Sequence, residues 1–220
     1  MVRSRRRSIH RTSTARDPER TRERLLRAAF QEMHRSGFRS ANVHAILAAA
    51  RVTKGALYHH FDSKEALGYA VVDEVIASIT REMWDWPLRN AENPIDALVG
   101  IVQGTSLGSE ALEYGCPLNN LSQEMSPLHE GFRRRTARIF KEWHDAVAAA
   151  LRHGQKRGLV RSDIDAGETA TFLIAAYEGL ISLVKNSQDV RMWQAGQKSL
   201  IRQLESLRGR RGVAKGAAQR

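Results

Sequence analysis

Two short helical segments separated by a tight turn constrain this chain more than any other feature. They occupy the stretch from Asn42 to Phe61, which reads NVHAILAAARVTKGALYHHF. Its first half repeats apolar residues at the spacing of an α-helix, and Thr53 can cap a second helix of about seven residues. The pattern therefore predicts a short helix, a turn at Arg51 and Val52, and a second short helix packed against the first.

Helical signals continue on both sides of this stretch. The Asp-Pro-Glu run at residues 17–19 opens a first helix, which keeps its apolar period until Gly37, a residue suited to a left-handed helix end. The Asp-Ser-Lys-Glu run at residues 62–65 resembles a capping box and opens a fourth helix, predicted over residues 62–84. Trp84, Trp86, Pro87 and Pro94 then mark a break.

The remaining sequence predicts helices and no sheet. Helices are expected over residues 95–107, 126–158, 166–185 and 190–208. Nowhere do four or more residues alternate between apolar and polar as a half-buried strand would. The predicted fold class is therefore all-α, with about nine helices.

Composition excludes several classes of protein. No stretch approaches the roughly 20 consecutive apolar residues of a membrane-spanning helix, and the basic N-terminus lacks the apolar segment of a secretory signal. The single cysteine, Cys116, excludes an intramolecular disulfide framework and a cysteine zinc cage, which favours the cytoplasm. Because no HExxH, GxSxG or phosphate-binding glycine loop occurs, we predict neither an enzyme nor a cofactor or metal site.

The net charge of +11 is concentrated at the ends of the chain. Residues 1–65 carry 15 Lys and Arg against 6 Asp and Glu, whereas residues 66–201 carry 14 against 17. A basic segment that also folds is a better sign of nucleic-acid binding than charge alone. Residues 1–16 have no hydrophobic period and are predicted to be disordered; their arginines could follow a DNA minor groove or attract phosphates non-specifically.

The stretch from Asn42 to Phe61 has the shape of a helix-turn-helix. The major groove of DNA admits an α-helix whose N-terminal residues meet base edges, and free amides at a helix start favour phosphate oxygens. In this chain Gly55 would let the second helix approach the duplex closely, while Leu57 and Phe61 face the core. These features point to DNA as the partner.

The same residues belong to a longer pattern that resembles the TetR family of bacterial transcriptional regulators. The pattern covers about residues 19–70, and its run TKGALYHHFDSKEAL is specific. The resemblance implies DNA-contacting roles for Asn42, Thr53, Lys54, Gly55, Tyr58, His59 and Lys64. Arg51 stands where the family usually has glycine in the turn, and Asn42 where threonine is usual. A left-handed Arg51 would cost about 1 kcal/mol or a little more, which a phosphate contact could offset. The alternative is that the turn differs from the one usual in the family.

The resemblance also implies how the chain is divided. Residues 1–16 form a disordered basic arm, residues 17–65 a helix-turn-helix DNA-binding domain, residues 66–208 a ligand-binding and dimerisation domain, and residues 209–220 a disordered tail. The last two helices carry small residues among large ones, and by resemblance two such helices from each subunit form a four-helix dimer interface. The helix predicted over 62–84 joins both domains and is the expected lever between them.

Candidate ligand contacts are aromatic and polar residues of the C-terminal region. Any single aromatic residue there is more often plain core, whereas Asn119 and Asn120 are better candidates because buried amides need partners that a ligand could supply. Cys116 without a second thiol is a weak candidate for a redox sensor. The candidates are Trp84, Tyr114, Cys116, Asn119, Asn120, Phe140, Trp143, Phe172 and Tyr177.

These inferences combine into one function. We expect a homodimeric, ligand-responsive transcriptional regulator, most simply a repressor that a small lipophilic or aromatic molecule releases from a palindromic operator. Its partners would be double-stranded DNA, a second copy of the chain and an unidentified small-molecule effector, with no membrane involved. A transcriptional activator is compatible with the same residues, and a non-specific architectural nucleic-acid-binding protein is the alternative that would select no palindrome.

Overall fold

The second and third helices begin directly after their predicted capping residues. In the computed structural model, which describes residues 18–105 and 109–209, α1 spans Pro18–Ser40, α2 Val43–Ala50 and α3 Lys54–His60. Asn42 accepts a hydrogen bond from the backbone amide of His44 at 2.8 Å, and Thr53 accepts one from the amide of Ala56 at 3.2 Å. Gly37 interrupts the helical backbone of α1 at φ +79°, as predicted. The expectations for residues 1–16, the Asp17 cap and residues 210–220 lie outside the described residues.

Helix α4 is longer than the sequence predicts. It is continuous over residues 64–89, with π-helical turns at Val71–Ile76 and Arg81–Asp85, so the predicted helix end at Trp84 is wrong. The break falls instead at residues 90–93, before the next helix begins at Pro94. In the second π-helical turn the amide of Trp86 bonds to the carbonyl of Arg81. Because proline lacks the amide donor of a regular helical turn, the wider hydrogen bonding before Pro87 accommodates it without ending the helix.

The C-terminal region is helical throughout its described length. Helix α5 spans Pro94–Gly104, a six-residue helix spans Ser109–Tyr114, α6 spans Pro117–Met125, α7 Glu130–Lys156, α8 Ala166–Ser187 and α9 Val190–Ser206. In the part of the chain that the structure describes, the only β pairing is an isolated bridge between Val160 and Arg208. The all-α prediction is confirmed, and no described helix is long and apolar enough to cross a lipid bilayer.

The predicted start of α7 is also wrong. The helix expected from Ser126-Pro127 begins at Glu130 instead, because the amide of Ser126 still bonds to the carbonyl of Ser122 and so extends α6. Residue His129 then caps α7, its Nδ1 atom accepting a hydrogen bond from the amide of Gly131 at 3.2 Å.

Two hydrophobic clusters form the core, and α4 contributes to both. The first cluster joins Leu57 and Val71 to Leu121 of α6 and Phe132 of α7. The second includes Trp84 of α4 and Trp143 of α7. Since both clusters use α4 and α7, the three N-terminal helices do not pack alone but rest on the C-terminal region.

Candidate nucleic-acid interface and ligand grooves

The exposed face of α3 carries most of the predicted DNA contacts. Lys54, Gly55 and His59 are exposed, and 44% of Tyr58 is accessible. Leu57, on the opposite face, is 1% exposed and anchors the helix in the first cluster. A seven-residue helix is thus held by one buried leucine and the Thr53 cap, which leaves its N-terminal polar side chains free to meet a ligand.

The turn before α3 is left-handed at Arg51, which decides between the two alternatives that the sequence left open. Its backbone angles are φ 51° and ψ 50°. The guanidinium of Arg24, on α1, donates a hydrogen bond of 2.9 Å to the carbonyl of Arg51 and another to the carbonyl of Ala50. These bonds stabilise a turn that a residue with a Cβ atom otherwise disfavours, and the Arg51 side chain itself remains exposed.

The predicted DNA contacts differ in whether their side chains already have partners within the protein. The ammonium of Lys54 lies 5.9 Å from the ring centre of Tyr58. Asn42 is exposed, although its side-chain oxygen already caps α2. Lys64 is half-buried and donates a hydrogen bond to the carbonyl of Arg39 at 3.0 Å, so its charge is held at the end of α1.

Glu124 of α6 holds the end of α1, and sequence reasoning missed it. Its two carboxylate oxygens accept hydrogen bonds from the backbone amides of Phe38, at 2.8 Å, and Arg39, at 2.9 Å. The positive φ of Gly37 frees these amides from the helix, and a Cβ atom there would lie 2.8 Å from the Glu124 carboxylate. Gly37 signalled that the amides need a partner, but nothing local identified a residue so far along the chain.

The predicted ligand contacts of α6 have partners within the protein. Asn119 donates to the hydroxyl of Ser182 at 3.2 Å, and Asn120 accepts from the ammonium of Lys185 at 2.9 Å. Asn120 also donates to the carbonyl of Tyr114 at 2.5 Å. The two amides therefore fasten α6 to α8 and to the helix before it, and a ligand is not needed to satisfy these bonds.

Three of the predicted residues meet in one aromatic cluster. The ring centres of Trp84 and Trp143 are 4.6 Å apart, and Tyr177 meets Trp84 edge-on at 4.9 Å. The Tyr177 hydroxyl lies 3.2 Å from that of Thr105, and burial raises the pKa of Tyr177 to about 12. The indole nitrogen of Trp143 is buried and has no hydrogen-bond partner among the described residues.

The nine predicted ligand contacts do not converge on one cavity. A groove of about 640 Å³ between α4 and α7 is lined in part by Trp84 and Trp143. A second, of about 670 Å³, includes Asn119 and Asn120 on the side of α6 that faces α1. Phe172 is 55% exposed on α8 and lies apart from the aromatic cluster.

The most unusual group of the C-terminal region is Glu178, which sequence reasoning also missed. Its side chain is buried on α8, and desolvation raises its pKa to about 7. Burial and the neighbouring Glu178 also raise the pKa of the Cys116 thiol, which disfavours the reactive thiolate. The signal in the sequence was an acid within the otherwise apolar run FLIAAYEGLISLV.

Known proteins match both parts of this architecture. Residues 25–71 match the family described as bacterial regulatory proteins, tetR family, and residues 94–200 match the tetracyclin repressor-like C-terminal domain. The HTH-type transcriptional repressor DhaR of Mycobacterium sp. (strain GP1) is 32% identical over 171 residues, which cover 74% of this chain and 82% of DhaR. The transcriptional regulator AcuR of Cereibacter sphaeroides is 29% identical and covers 73% and 74% of the two chains.

Solved structures give the same result for the fold. The regulatory protein TetR from Rhodobacter sphaeroides superposes with a TM-score of 0.74 at 26% identity, over 83% of this chain and 97% of that one. The reduced form of E. coli NemR superposes with a TM-score of 0.76 at 24% identity, over 88% and 99% of the two chains. The helix-turn-helix and the helical region behind it therefore occur together in other regulators.

Proposed function

The chain belongs to the TetR family of bacterial transcriptional regulators, which bind DNA, and from that premise we propose that α3 is the helix that enters the major groove. The observation that carries the proposal is the geometry of α3, whose buried Leu57 and capping Thr53 leave Lys54 and Tyr58 exposed. Thr53, Lys54, Gly55, Tyr58 and His59 meet bases or nearby phosphates, while Asn42 and Lys64 flank them. Base edges read by the start of a helix provide sequence specificity.

We propose that residues 66–208 bind the effector and form a homodimer through α8 and α9. Large apolar side chains are exposed on and between these two helices: Phe172, Leu183, Val190 and Met192. Gly179 has open space where a Cβ atom would stand, which permits a second helix to approach closely. A dimer would place two copies of α3 about 34–36 Å apart, on successive turns of one face of DNA.

The proposed response to an effector is a difference in affinity between two conformations. The small molecule, lipophilic or aromatic, binds the conformation whose α3 helices are misplaced for the operator, so DNA is released. Helix α4 contributes to both hydrophobic clusters and so couples the two regions. Repression is supported by the name of the relative from Mycobacterium, a transcriptional repressor. The protein would work in the cytoplasm, where bacterial DNA is found.

Selection of bound fragments from a pool of random DNA duplexes, with the purified protein, tests the proposal. We expect enrichment of one palindromic sequence whose half-sites lie about one helical turn apart. Recovered fragments without a common sequence would instead identify an architectural DNA-binding protein. A monomer that binds no duplex at low salt would contradict both the groove-reading role of α3 and the dimer.

A further inference from the structure

Glu178 is a buried acid without a matching charge. Its side chain is 7% exposed, and its Oε2 atom has no hydrogen-bond partner among the described residues. Burial of a polar group without a hydrogen bond costs free energy, and burial of an unpaired charge costs more. Native proteins contain few such groups, so each one calls for an explanation.

The residues around Glu178 supply no cation. Cys116 and Tyr177 are neighbouring titratable groups that are neutral near pH 7, and burial raises the pKa of each side chain further. The Cys116 thiol contributes a hydrogen bond to the Glu178 carboxyl group but no charge. Lys185 lies further along α8, and its ammonium donates a hydrogen bond to the side-chain oxygen of Asn120. Within the described part of the chain, no ion pair involves Glu178.

A groove of about 300 Å³ between α6, α7 and α8 borders Glu178. Phe140, Ile174 and Ala175 supply apolar walls. The groove has a volume suited to a small organic molecule, and apolar walls around one polar group are typical of ligand sites.

The other polar side chains of this groove already bond within the protein. His144 contacts the carbonyl of Gly167 through Nε2 at 3.1 Å and Asp145 through Nδ1 at 3.3 Å. Thr171 donates to the same Gly167 carbonyl at 3.0 Å, and Asn119 donates to Ser182. The atom beside this groove that remains without a partner is Oε2 of Glu178, whose carboxyl group also shares a hydrogen bond with the Cys116 thiol.

We propose that this groove binds a small organic ammonium ion, whose nitrogen donates to Glu178 while its apolar part packs against Phe140 and Ile174. The inference rests on the proposed function, because it names the chemical class of the effector. A hydrogen bond between two charged groups is about twice as strong as a neutral one. An ammonium ion would supply both the missing donor and the missing charge, an alcohol only the donor, and a carboxylate would be repelled.

Three probes with the same aromatic body separate these possibilities: 2-phenylethylammonium, 2-phenylethanol and phenylacetate. Each is titrated into the DNA-free protein, and binding is measured as a rise in melting temperature and a change in tryptophan fluorescence. We expect the ammonium probe to bind most tightly, the alcohol more weakly and phenylacetate least. Equal binding of all three, tighter binding of phenylacetate, or no binding of the ammonium probe would overturn the proposal.

Two matched variants locate the site. Glu178→Gln keeps the size of the side chain but removes its charge, and we expect the ammonium probe to bind at least about tenfold more weakly, since a charged hydrogen bond is lost. Glu168→Gln removes an exposed charge from the same helix and serves as the control, with binding unchanged. If both variants bind the probe like the original protein, Glu178 is not the recognition group.

The same measurements separate this site from the proposed function. Binding of selected operator DNA is measured first without any probe, so a failed probe experiment leaves the DNA-binding result intact. Addition of the ammonium probe should then lower operator affinity in the original protein but not in Glu178→Gln. If instead no probe binds and Glu178→Gln changes self-association in sedimentation, the carboxyl group faces a second copy of the chain, and the proposal is wrong.

Discussion

The N-terminal helices and the C-terminal core differ in whether their polar groups have hydrogen-bond partners. Around α2 and α3 the helix starts are capped by Asn42 and Thr53, and the exposed polar side chains face solvent. In the C-terminal core, Trp143 and Glu178 each bury a polar atom that has no partner in the described structure.

This difference separates two kinds of site. A surface that reads DNA is fully formed without its ligand, because water satisfies its exposed groups until DNA replaces it. A buried site that awaits a ligand leaves polar groups unsatisfied, and the fold is less stable for it. The comparison predicts that substitutions in the core alter stability most, whereas substitutions on α3 alter DNA affinity.

The largest effect is expected at Glu178. A buried acid whose pKa rises from its ordinary 4.5 to about 7 binds its proton more tightly in the folded state. The contribution of Glu178 to stability is therefore fully present below about pH 4.5 and is lost as pH rises through about 7. Glu178→Gln removes this loss. The free energy of unfolding of the variant, relative to that of the original protein, should therefore rise by on the order of 3 kcal/mol between about pH 4.5 and about pH 8.

Urea unfolding of the original protein and Glu178→Gln at both pH values measures this growth. Glu168→Gln, exposed on the same helix, should follow the original protein at each pH. A difference between Glu178→Gln and the original protein that does not change with pH would show that Glu178 is not a buried, raised-pKa acid in solution.

A smaller loss is expected at the contact between α6 and α1. Glu124→Ala leaves the amides of Phe38 and Arg39 without their acceptors, which should lower the free energy of unfolding by about 1–2 kcal/mol. Because these amides lie at the end of the helix that supports the turn before α3, affinity for selected operator DNA should fall as well. Glu23→Ala, an exposed acid on α1, is the control and should change neither quantity. Unchanged operator affinity in a stable Glu124→Ala protein would confine the residue to a structural role.

On the DNA-reading surface the expected effect is on affinity and not on stability. Lys54→Ala should weaken operator binding by about tenfold and reduce the slope of log affinity against log salt by about one, as expected for one lost phosphate contact. The control is Lys156→Ala, which removes an exposed lysine at the end of α7, outside the proposed DNA and dimer surfaces. Gel-shift titrations at several salt concentrations measure both values; equal slopes for the two variants would remove Lys54 from the interface.

The smallest effect is expected in the turn. Arg51→Gly relieves the left-handed backbone at φ 51°, and the free energy of unfolding should rise by up to about 1 kcal/mol. Operator affinity should fall modestly, since the exposed guanidinium can no longer contact phosphate. A fall in thermal stability would indicate that the Arg51 side chain, and not only its Arg24-bound carbonyl, stabilises the turn.

Local signals predicted the structure of the helix-turn-helix well. The Asn42 and Thr53 caps, the left-handed Arg51 and the buried Leu57 all follow from residues within one or two helical turns of each other. The roles of the seven predicted DNA contacts remain predictions, although the structure places Lys54 and Tyr58 on one exposed face.

The sequence by itself determined where helices form, because caps, apolar periods and glycine stops act over a few residues. The tertiary structure decided which distant groups meet: Glu124 reaches the amides after Gly37, α4 continues through Pro87, and Glu178 turns inward beside Cys116. Such pairings depend on how helices pack, and packing is set by the whole chain, since each buried side chain must fit its neighbours at near-crystalline density.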